Sequence, residues 1–191
     1  MIMQSLVEAY ERFKEDSDYE IGPRGFSLQR ISFTIVLEMD GQLHDIQDIR
    51  EHAGKKRIPR RLRVLGVNKP TGFVLSPCFL WDNTAYLLGC DKDKGKRGFA
   101  AFEETRKRYL EVENEINDPK FSAVCRFLKG WNPQDAGKYQ ILEELIGSFG
   151  VFQIRAQTGY VHESTKIEKW WLNRTDADEE RMKAWWESSC P

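Results

Sequence analysis

The stretch ISFTIVL at residues 31–37 decides the fold class of this chain, because its β-branched and aromatic residues favour an extended strand. The turn dipeptide Asp40-Gly41 follows, and Leu43, Ile46 and Ile49 supply apolar positions beyond it. An Asp-Gly pair between two apolar segments is a strong short-range signal of a β-hairpin. The sequence therefore predicts antiparallel strands in the first half of the chain.

Helical patterns flank this hairpin. An amphipathic N-terminal helix is predicted around residues 6–14, and the apolar stripe from Phe99 to Ile116 predicts a long helix. Asp118-Pro119 has the chemistry of a helix N-cap followed by proline at the first helical position. Further helices are predicted at 139–146, 164–172 and 175–186. The last would begin with a capping box in which Asp178 replaces the usual glutamate after Thr175.

Two shorter patterns complete the expected fold. Residues 79–89 read as a turn that leads into a buried strand, and residues 149–154 and 160–162 read as a short hairpin. The predicted class is thus α+β, an N-terminal helix and antiparallel sheet followed by a mainly helical second half. The β-rich part would cover about 1–98 and the helical part about 99–191.

Composition limits the possible functions. The 191 residues are 40% hydrophobic, which excludes wholesale disorder, and 29 Lys and Arg balance 30 Asp and Glu, which excludes a uniformly basic surface. No apolar run is long enough to span a bilayer, and the first twelve residues lack the pattern of a signal peptide. We therefore expect a cytoplasmic protein without membrane contact.

The cysteines and histidines predict neither a metal site nor a cofactor. No C-x-x-C pair occurs, and no histidine stands three or four residues from another histidine or a cysteine. The thiols are expected to be free in a reducing cytosol. The four cysteines are Cys78, Cys90, Cys125 and Cys190.

A basic run between residues 55 and 63 is the most distinctive feature. It holds six cations in nine residues, and Pro59 in its middle favours an extended backbone. Closely spaced cations suit phosphates, and six phosphate contacts would give a salt dependence with a slope of about five. The alternative is a solvated loop whose charges pair with acids elsewhere. The six cations are Lys55, Lys56, Arg57, Arg60, Arg61 and Arg63.

Residues 68–72 (NKPTG) form a predicted loop beside the basic run. Asn68 and Lys69 carry donors that suit base edges, Thr71 can donate or accept, and Gly72 allows close backbone approach. By composition alone the segment is also an ordinary connecting loop.

The candidates for catalysis are weak. His44, Asp45 and Asp48 could be imagined as a metal-dependent nuclease cluster, but on a strand 44 and 48 share a face while 45 points away. No nucleophile elbow, phosphate-binding loop or dinucleotide glycine pattern occurs. We therefore expect no enzymatic activity.

Two pairs of adjacent tryptophans leave a third reading open. Trp170-Trp171 and Trp185-Trp186 lie in predicted helices, where neighbouring side chains point about 100° apart. Only one ring of each pair can face a single packing surface. The second ring would meet another helix, a nucleobase or a partner protein, which makes a protein-interaction module an alternative function.

Residues 69–89, and above all FLWDNTAYLLG at 79–89, resemble the N-terminal region of the large subunit of type I-C (Dvulg subtype) CRISPR Cascade complexes. The stretch GFSLQRISF at 25–33, the Asp-Gly hairpin and the basic run support the resemblance, as does YVHE at 160–163 before a helix with paired tryptophans. Members of that family are longer. The resemblance therefore identifies residues 1–191 as an N-terminal domain, either a fragment or a truncated form.

The resemblance implies a non-catalytic subunit of an RNA-guided surveillance complex. Such a subunit would bind the 5′ handle of the CRISPR RNA, recognise the protospacer-adjacent motif (PAM) in double-stranded target DNA, and help recruit a helicase-nuclease. Other Cascade subunits would be its protein partners.

Carried onto this chain, the resemblance makes the basic run the grip on nucleic-acid backbone and the 68–78 loop the candidate reader of the motif. Cys78 stands where the family pattern leads us to expect asparagine, which puts the motif preference in question. The PAM-reading candidates are Asn68, Lys69, Thr71, Gly72, Cys78 and Asn83.

Overall fold

The predicted Asp-Gly hairpin is the centre of the fold. In a computed structural model that describes residues 25–66, 74–92 and 96–189, strand β1 (Phe26–Leu37) pairs antiparallel with β2 (Leu43–Asp48). The Glu38 amide donates to the Gln42 carbonyl at 2.9 Å to close the turn. Gly41, at φ 91°, lies so close to a later helix that a Cβ there would be 2.5 Å from the Cβ of Arg126. The predicted N-terminal helix lies outside the described residues.

A second hairpin interrupts one edge of the sheet. Strands β3 (Glu51–Ala53) and β4 (Lys56–Ile58) pair with each other, and β5 (Arg60–Leu65) then pairs antiparallel with the first half of β1. Strand β7 (Phe149–Ile154) runs parallel to β1 from Ile31 onward, so β2 and β5 must share the opposite edge of β1. The β3–β4 hairpin, hereafter the ribbon, is thus inserted in the chain between β2 and β5, which pair with the two halves of the same edge of β1.

Strand β7 corrects the predicted hairpin at 149–162. Its partners are β1 and the antiparallel β6 (Trp81–Asn83), both more than sixty residues earlier in the chain. Residues Val161–Glu163 form a 3-10 turn instead of a returning strand. The Glu163 carboxylate accepts from the Tyr160 amide at 2.7 Å, which holds this segment in a turn.

The segment 79–89 also differs from its prediction. The strand β6 is only three residues long, and helix α1 (Thr84–Leu88) follows it directly. The Asn83 side chain accepts from the Ala85 amide at 3.0 Å and starts the helix, and Gly89 ends it in the left-handed conformation at φ 75°. Local capping chemistry therefore prevails over the strand preference of the apolar residues.

The second half supplies the helical layer, as predicted. Helix α2 (Lys96–Ile116) carries the stripe in which Phe102, Tyr109 and Ile116 are buried. The Asp118 side chain caps helix α3 (Pro119–Gly130) at the amides of Lys120 and Phe121. A 3-10 turn at Pro133–Lys138 and the helices α4 (Ile141–Leu145) and α5 (Thr165–Ser189) follow. These elements and the sheet confirm the α+β class.

Helix α5 is continuous, so the prediction of two terminal helices is wrong. Thr175 does not begin a second helix with a capping box, because its hydroxyl donates to the Trp171 carbonyl at 2.9 Å within the same helix. Trp171 also donates from Nε1 to the Gly25 carbonyl at 2.8 Å, which anchors the helix beside the start of β1.

The main core lies between the sheet and the helices. Phe33, Ile35 and Leu37 of β1 are fully buried against α2 and α3 residues such as Phe102 and Phe121. A smaller cluster on the other side of the sheet contains Ile31, Val64, Trp81 and Val151. Within the described part of the chain, none of the helices combines the length and the hydropathy that a membrane span requires.

Candidate nucleic-acid interface

The basic run occupies the ribbon and the strand that follows it. Lys55 lies in the ribbon loop, Lys56 and Arg57 in β4, and Arg60, Arg61 and Arg63 in β5. The predicted extended backbone is confirmed, with Pro59 at the junction between the two strands. The six cations therefore follow one continuous edge of the protein.

The tip of the ribbon presents its two lysines to solvent. Ala53 pairs with Lys56, which leaves Gly54 and Lys55 as a two-residue loop, and Gly54 has the positive φ, 62°, that such loops favour. Both strands of the ribbon are exposed along their whole length. Neither Lys55 nor Lys56 forms an ion pair with any residue that the structure describes.

Arg57 is held by the body of the protein. Its Nη1 donates to Oδ2 of Asp48 at 2.5 Å, and the same carboxylate accepts from Arg50 at 2.7 and 2.9 Å. These hydrogen bonds lower the pKa of Asp48 to about 2, and the bonds from Arg50 have the largest effect. Burial of the carboxylate acts in the opposite direction. Arg50 in turn reaches Glu144 of the helix α4 at 3.1 Å.

Two further arginines of the run also have acidic partners. Nε of Arg60 lies 3.1 Å from Glu51, across the base of the ribbon. Arg63 bonds Glu168 of α5 at 3.1 Å, and its guanidinium lies 4.8 Å from the centre of the Phe26 ring. The run is therefore divided: arginines brace the ribbon and the strand against the protein, and the lysines at the tip point outward.

Strand pairing adds a cation that the sequence reading missed. Arg30 stands thirty-one residues before Arg61, yet the two are directly opposed in the β1–β5 ladder. Their Cβ atoms consequently point to the same face of the sheet. The signal was available only through the β1–β5 register, because nothing in the residues around Arg30 resembles a basic cluster.

Four of the PAM-reading candidates, Asn68, Lys69, Thr71 and Gly72, lie outside the described residues. The chain leaves the sheet at Gly66, whose amide donates to the Gly25 carbonyl at 2.8 Å. It re-enters beside a cavity of about 480 Å³. Leu65, Cys78, Phe79, Arg108, Trp171 and Arg174 are among the residues that line this cavity.

Of the two described candidates, Cys78 lines that cavity, and Asn83 lies at the end of β6, where α1 begins. The Cys78 amide donates to Asp82 at 2.9 Å, and its carbonyl accepts from the Tyr109 hydroxyl at 3.0 Å. The Asn83 side-chain oxygen caps α1, while the residue remains partly exposed. Cys78 and Leu62 both pack on the small core cluster, which links this turn to β5.

The three residues considered for a nuclease site each interact with different partners. Asp48 is engaged by two arginines, His44 lies 3.2 Å from Glu38, and Asp45 accepts from the Ile46 amide at 2.8 Å. Within the described parts of the chain, no group of three acidic, histidine or cysteine side chains could hold a metal ion.

The described cysteines, Cys78, Cys90 and Cys125, are free thiols, and Cys190 lies outside the described residues. Burial raises the pKa of Cys90 to about 11 and that of Cys125 to about 12, so these two stay protonated at neutral pH.

The first tryptophan pair surrounds Phe79. The Trp171 ring stacks on the Phe79 ring with an interplanar angle of 7° and a centroid distance of 5.5 Å. The Trp170 ring is tilted relative to Phe79, and the two ring centroids are 5.3 Å apart. Arg174 covers Trp170 at 5.3 Å. Both rings of this pair therefore have partners within the chain, whereas the side chains of Trp185 and Trp186 lie outside the described set.

Comparison with models of known protein families matches residues 6–190 to the family described as CRISPR-associated protein (Cas_Csd1). No curated protein matches the chain. The match covers almost the whole sequence, including the ribbon, β5 and the cavity turn.

Proposed function

The chain belongs to the Cas_Csd1 family of CRISPR-associated proteins, and from that premise we propose that it is a non-catalytic, nucleic-acid-binding subunit of a type I-C surveillance complex. It would bind the 5′ handle region of the CRISPR RNA and recognise the PAM in target DNA. Other Cascade subunits and a recruited helicase-nuclease would be its protein partners. The resemblance of residues 69–89 to the large subunit supports the subtype and the N-terminal position.

The observation that carries the proposal is the ribbon. A two-stranded β-ribbon is one of the elements that fits the major groove of a duplex, and cations near phosphates supply sequence-independent affinity. Here the ribbon is exposed on both strands and has Lys55 and Lys56 at its tip. Arg57 and Arg60 brace its base through Asp48 and Glu51. A braced ribbon keeps its lysines in place without ordering a flexible loop upon binding.

Motif recognition is proposed for the segment between Asn68 and Cys78, with Asn83 as a further reader. Gly66, which precedes this segment, and Ser76, which lies within it, both line the 480 Å³ cavity, and Arg108 and Arg174 line the same cavity. Phosphate contacts orient a protein on a duplex, and base contacts then give specificity. The ribbon would make the phosphate contacts, and the segment between Asn68 and Cys78 would make the base contacts.

Fluorescence anisotropy with three probes tests the proposal. The probes are a handle RNA, a duplex with the 5′-TTC motif that the family resemblance leads us to expect, and the same duplex scrambled. Salt-sensitive binding to the RNA and the duplexes is expected, with tighter binding to the motif duplex. Equal binding to both duplexes would show that these residues do not read the motif. Absence of binding to all three probes at every salt concentration would contradict the proposal.

A paired variant locates the contact. Replacing Lys55 and Lys56 by glutamate should abolish most of the affinity, because two attractive contacts become repulsive. The matched control replaces Lys107 and Lys169, two exposed lysines of α2 and α5. Equal losses in both variants would show general charge attraction and would overturn the assignment to the ribbon.

A further inference from the structure

We propose that the cavity of about 480 Å³ beside Cys78 binds one unpaired nucleobase of a single-stranded nucleic acid. The site deepens the proposed function and rests on it, because it names the part of the nucleic acid that enters the protein. The cavity has the volume of an ordinary small-ligand site, which is about 300–1,000 Å³. Its lining includes the rings of Phe79, Trp170 and Trp171.

These aromatic walls come from two elements that hold each other in place. Phe79 precedes β6, and its ring centroid lies 5.5 Å from that of Trp171 and 5.3 Å from that of Trp170, both on α5. The Phe79 ring also contacts Tyr109 and Phe121, at centroid distances of 5.4 and 5.5 Å. Rings that are packed in this way are ordered before a ligand arrives, which lowers the entropic cost of binding.

The three rings nevertheless keep exposed surface. Phe79, Trp170 and Trp171 are half-buried, whereas the core rings of Phe33 and Phe102 are 0% exposed. Every nucleobase has a π-face that can stack on an aromatic side chain, and proteins use such stacking to bind single strands. A base inside a duplex is already stacked on its neighbours, so the cavity favours an unpaired base.

The charges at the cavity favour a base over a phosphate. Arg108 bonds Glu104 at 2.8 Å, and Arg174 lies 3.8 Å from Glu115. Glu111 also lines the cavity. These carboxylates offset the two arginines, so a phosphate would gain little attraction there. Guanidinium donors and a carboxylate acceptor can instead bond the polar edge of a base.

Strand β5 leads from the basic run to this cavity. Leu65 lines the cavity and stands two residues after Arg63, about 7 Å along the strand. Arg63 bonds Glu168 of α5, one turn before Trp171. A nucleic-acid backbone that follows the basic run towards Leu65 would therefore bring a base to the aromatic walls.

The test uses short single strands that contain 2-aminopurine, as RNA and separately as DNA, with the 191-residue chain. Stacking on an aromatic ring quenches the fluorescence of this base. Trp170→Ala should weaken binding about tenfold, the loss expected for one base–aromatic stack, and should reduce the quenching. The matched control is Phe99→Ala, which truncates an exposed ring at a different cavity and should change neither quantity.

Two further variants separate stacking from folding effects. Trp170→Phe keeps a ring in the wall and should retain most of the quenching. Val112→Phe adds a ring at a half-buried position that lines the cavity, so it should exclude the base without removing an existing contact. Loss of quenching in this variant would support the site even if Trp170→Ala does not fold.

The Lys55→Glu, Lys56→Glu variant separates the cavity from the phosphate contacts. It should bind the single strands more weakly yet reach the same quenching at saturation, because the base still enters the cavity. Wild-type binding with quenching that is unchanged in both Trp170→Ala and Val112→Phe would overturn the cavity site and leave the proposed function intact.

The two kinds of strand identify the source of the base. Quenching dependent on Trp170 with RNA alone would assign the cavity to the CRISPR RNA, and with DNA alone to an opened target strand. Either result would support the site even if the motif duplex binds no better than the scrambled one. Absence of binding to both single strands would overturn the site, while anisotropy with the duplexes decides the proposed function separately.

Discussion

Arg57 of the ribbon and Asp48 at the end of β2 are joined by a 2.5 Å bond between Nη1 and Oδ2. Asp48 is 7% exposed while Arg57 is 47% exposed, so a nearly buried carboxylate anchors a solvent-facing cation. Arg50 bonds the same carboxylate and extends the contact to the helical layer through Glu144. Asp48 thus links Arg57 of the ribbon, through Arg50, to the helical layer.

Replacing Asp48 by asparagine should destabilise the protein by about 2 kcal/mol at neutral pH, because the folded pKa of Asp48 lies near 2 rather than at its ordinary value of 3.8. A depressed carboxylate pKa gives stability that is complete above the unfolded pKa and is lost as pH falls through the folded one. The free energy of unfolding, measured with urea from neutral pH to about pH 2, should decline for the wild type below about pH 5.

The asparagine variant should show a flatter decline over that range, and Asp45→Asn, an exposed neighbour on the same strand, should behave as the wild type. Parallel pH profiles for Asp48→Asn and the wild type would contradict the proposed anchoring.

His162 should make the protein sensitive to mild acid. Burial lowers its pKa, its Nε2 lies 3.0 Å from the Arg63 carbonyl, and its Nδ1 has no hydrogen-bond partner among the described residues. A lowered histidine pKa means that stability is complete above the unfolded value of about 6.5 and declines as pH falls below it.

Unfolding by urea between about pH 7.5 and pH 5 measures this effect. His162→Gln, which keeps an amide donor for the Arg63 carbonyl, should be less dependent on pH. The exposed His44→Gln is the control. A wild type whose stability is constant over this range would disprove the prediction.

Asn83 offers a test that separates folding from recognition. Asn83→Ala should lose about 1 kcal/mol because the cap of α1 is removed, and Asn83→Ser should keep the cap with its hydroxyl. If Asn83 reads a base, the serine variant should fold normally yet discriminate less between the motif and scrambled duplexes. Unchanged discrimination in Asn83→Ser would remove this residue from the candidate readers.

The stack of Trp171 on Phe79 should contribute strongly to stability. Trp171→Ala would leave a cavity beside Phe79 and delete the bond to the Gly25 carbonyl, with an expected loss of about 3 kcal/mol. Denaturant unfolding measures the loss, and Phe99→Ala, which truncates a ring that is 53% exposed, is the control. Equal small effects of both substitutions would show that the stack is not part of the stabilising core.

The sequence predicted those features whose cause lies within a few residues. Asp40-Gly41 sets the hairpin turn, and Asp118-Pro119 caps a helix with its own side chain. Local reading failed where two local preferences competed, as at residues 79–89, where the Asn83 cap and Gly89 produce a helix after a short strand. It failed again at Thr175, because a threonine hydroxyl inside a helix can donate to a carbonyl of the preceding turn instead of capping the start of a new helix.

The sequence by itself determined the antiparallel start, the helical second half and the extended basic run, since turn chemistry, capping and periodicity act over short distances. Only the tertiary structure decided that β7 runs beside β1, that Arg30 opposes Arg61, and that Asp48, Glu51 and Glu168 hold three arginines of the run. These relationships depend on strand register and on the packing of distant segments. Neither is encoded in the spacing of neighbouring residues, because burial of the shared core selects them all together.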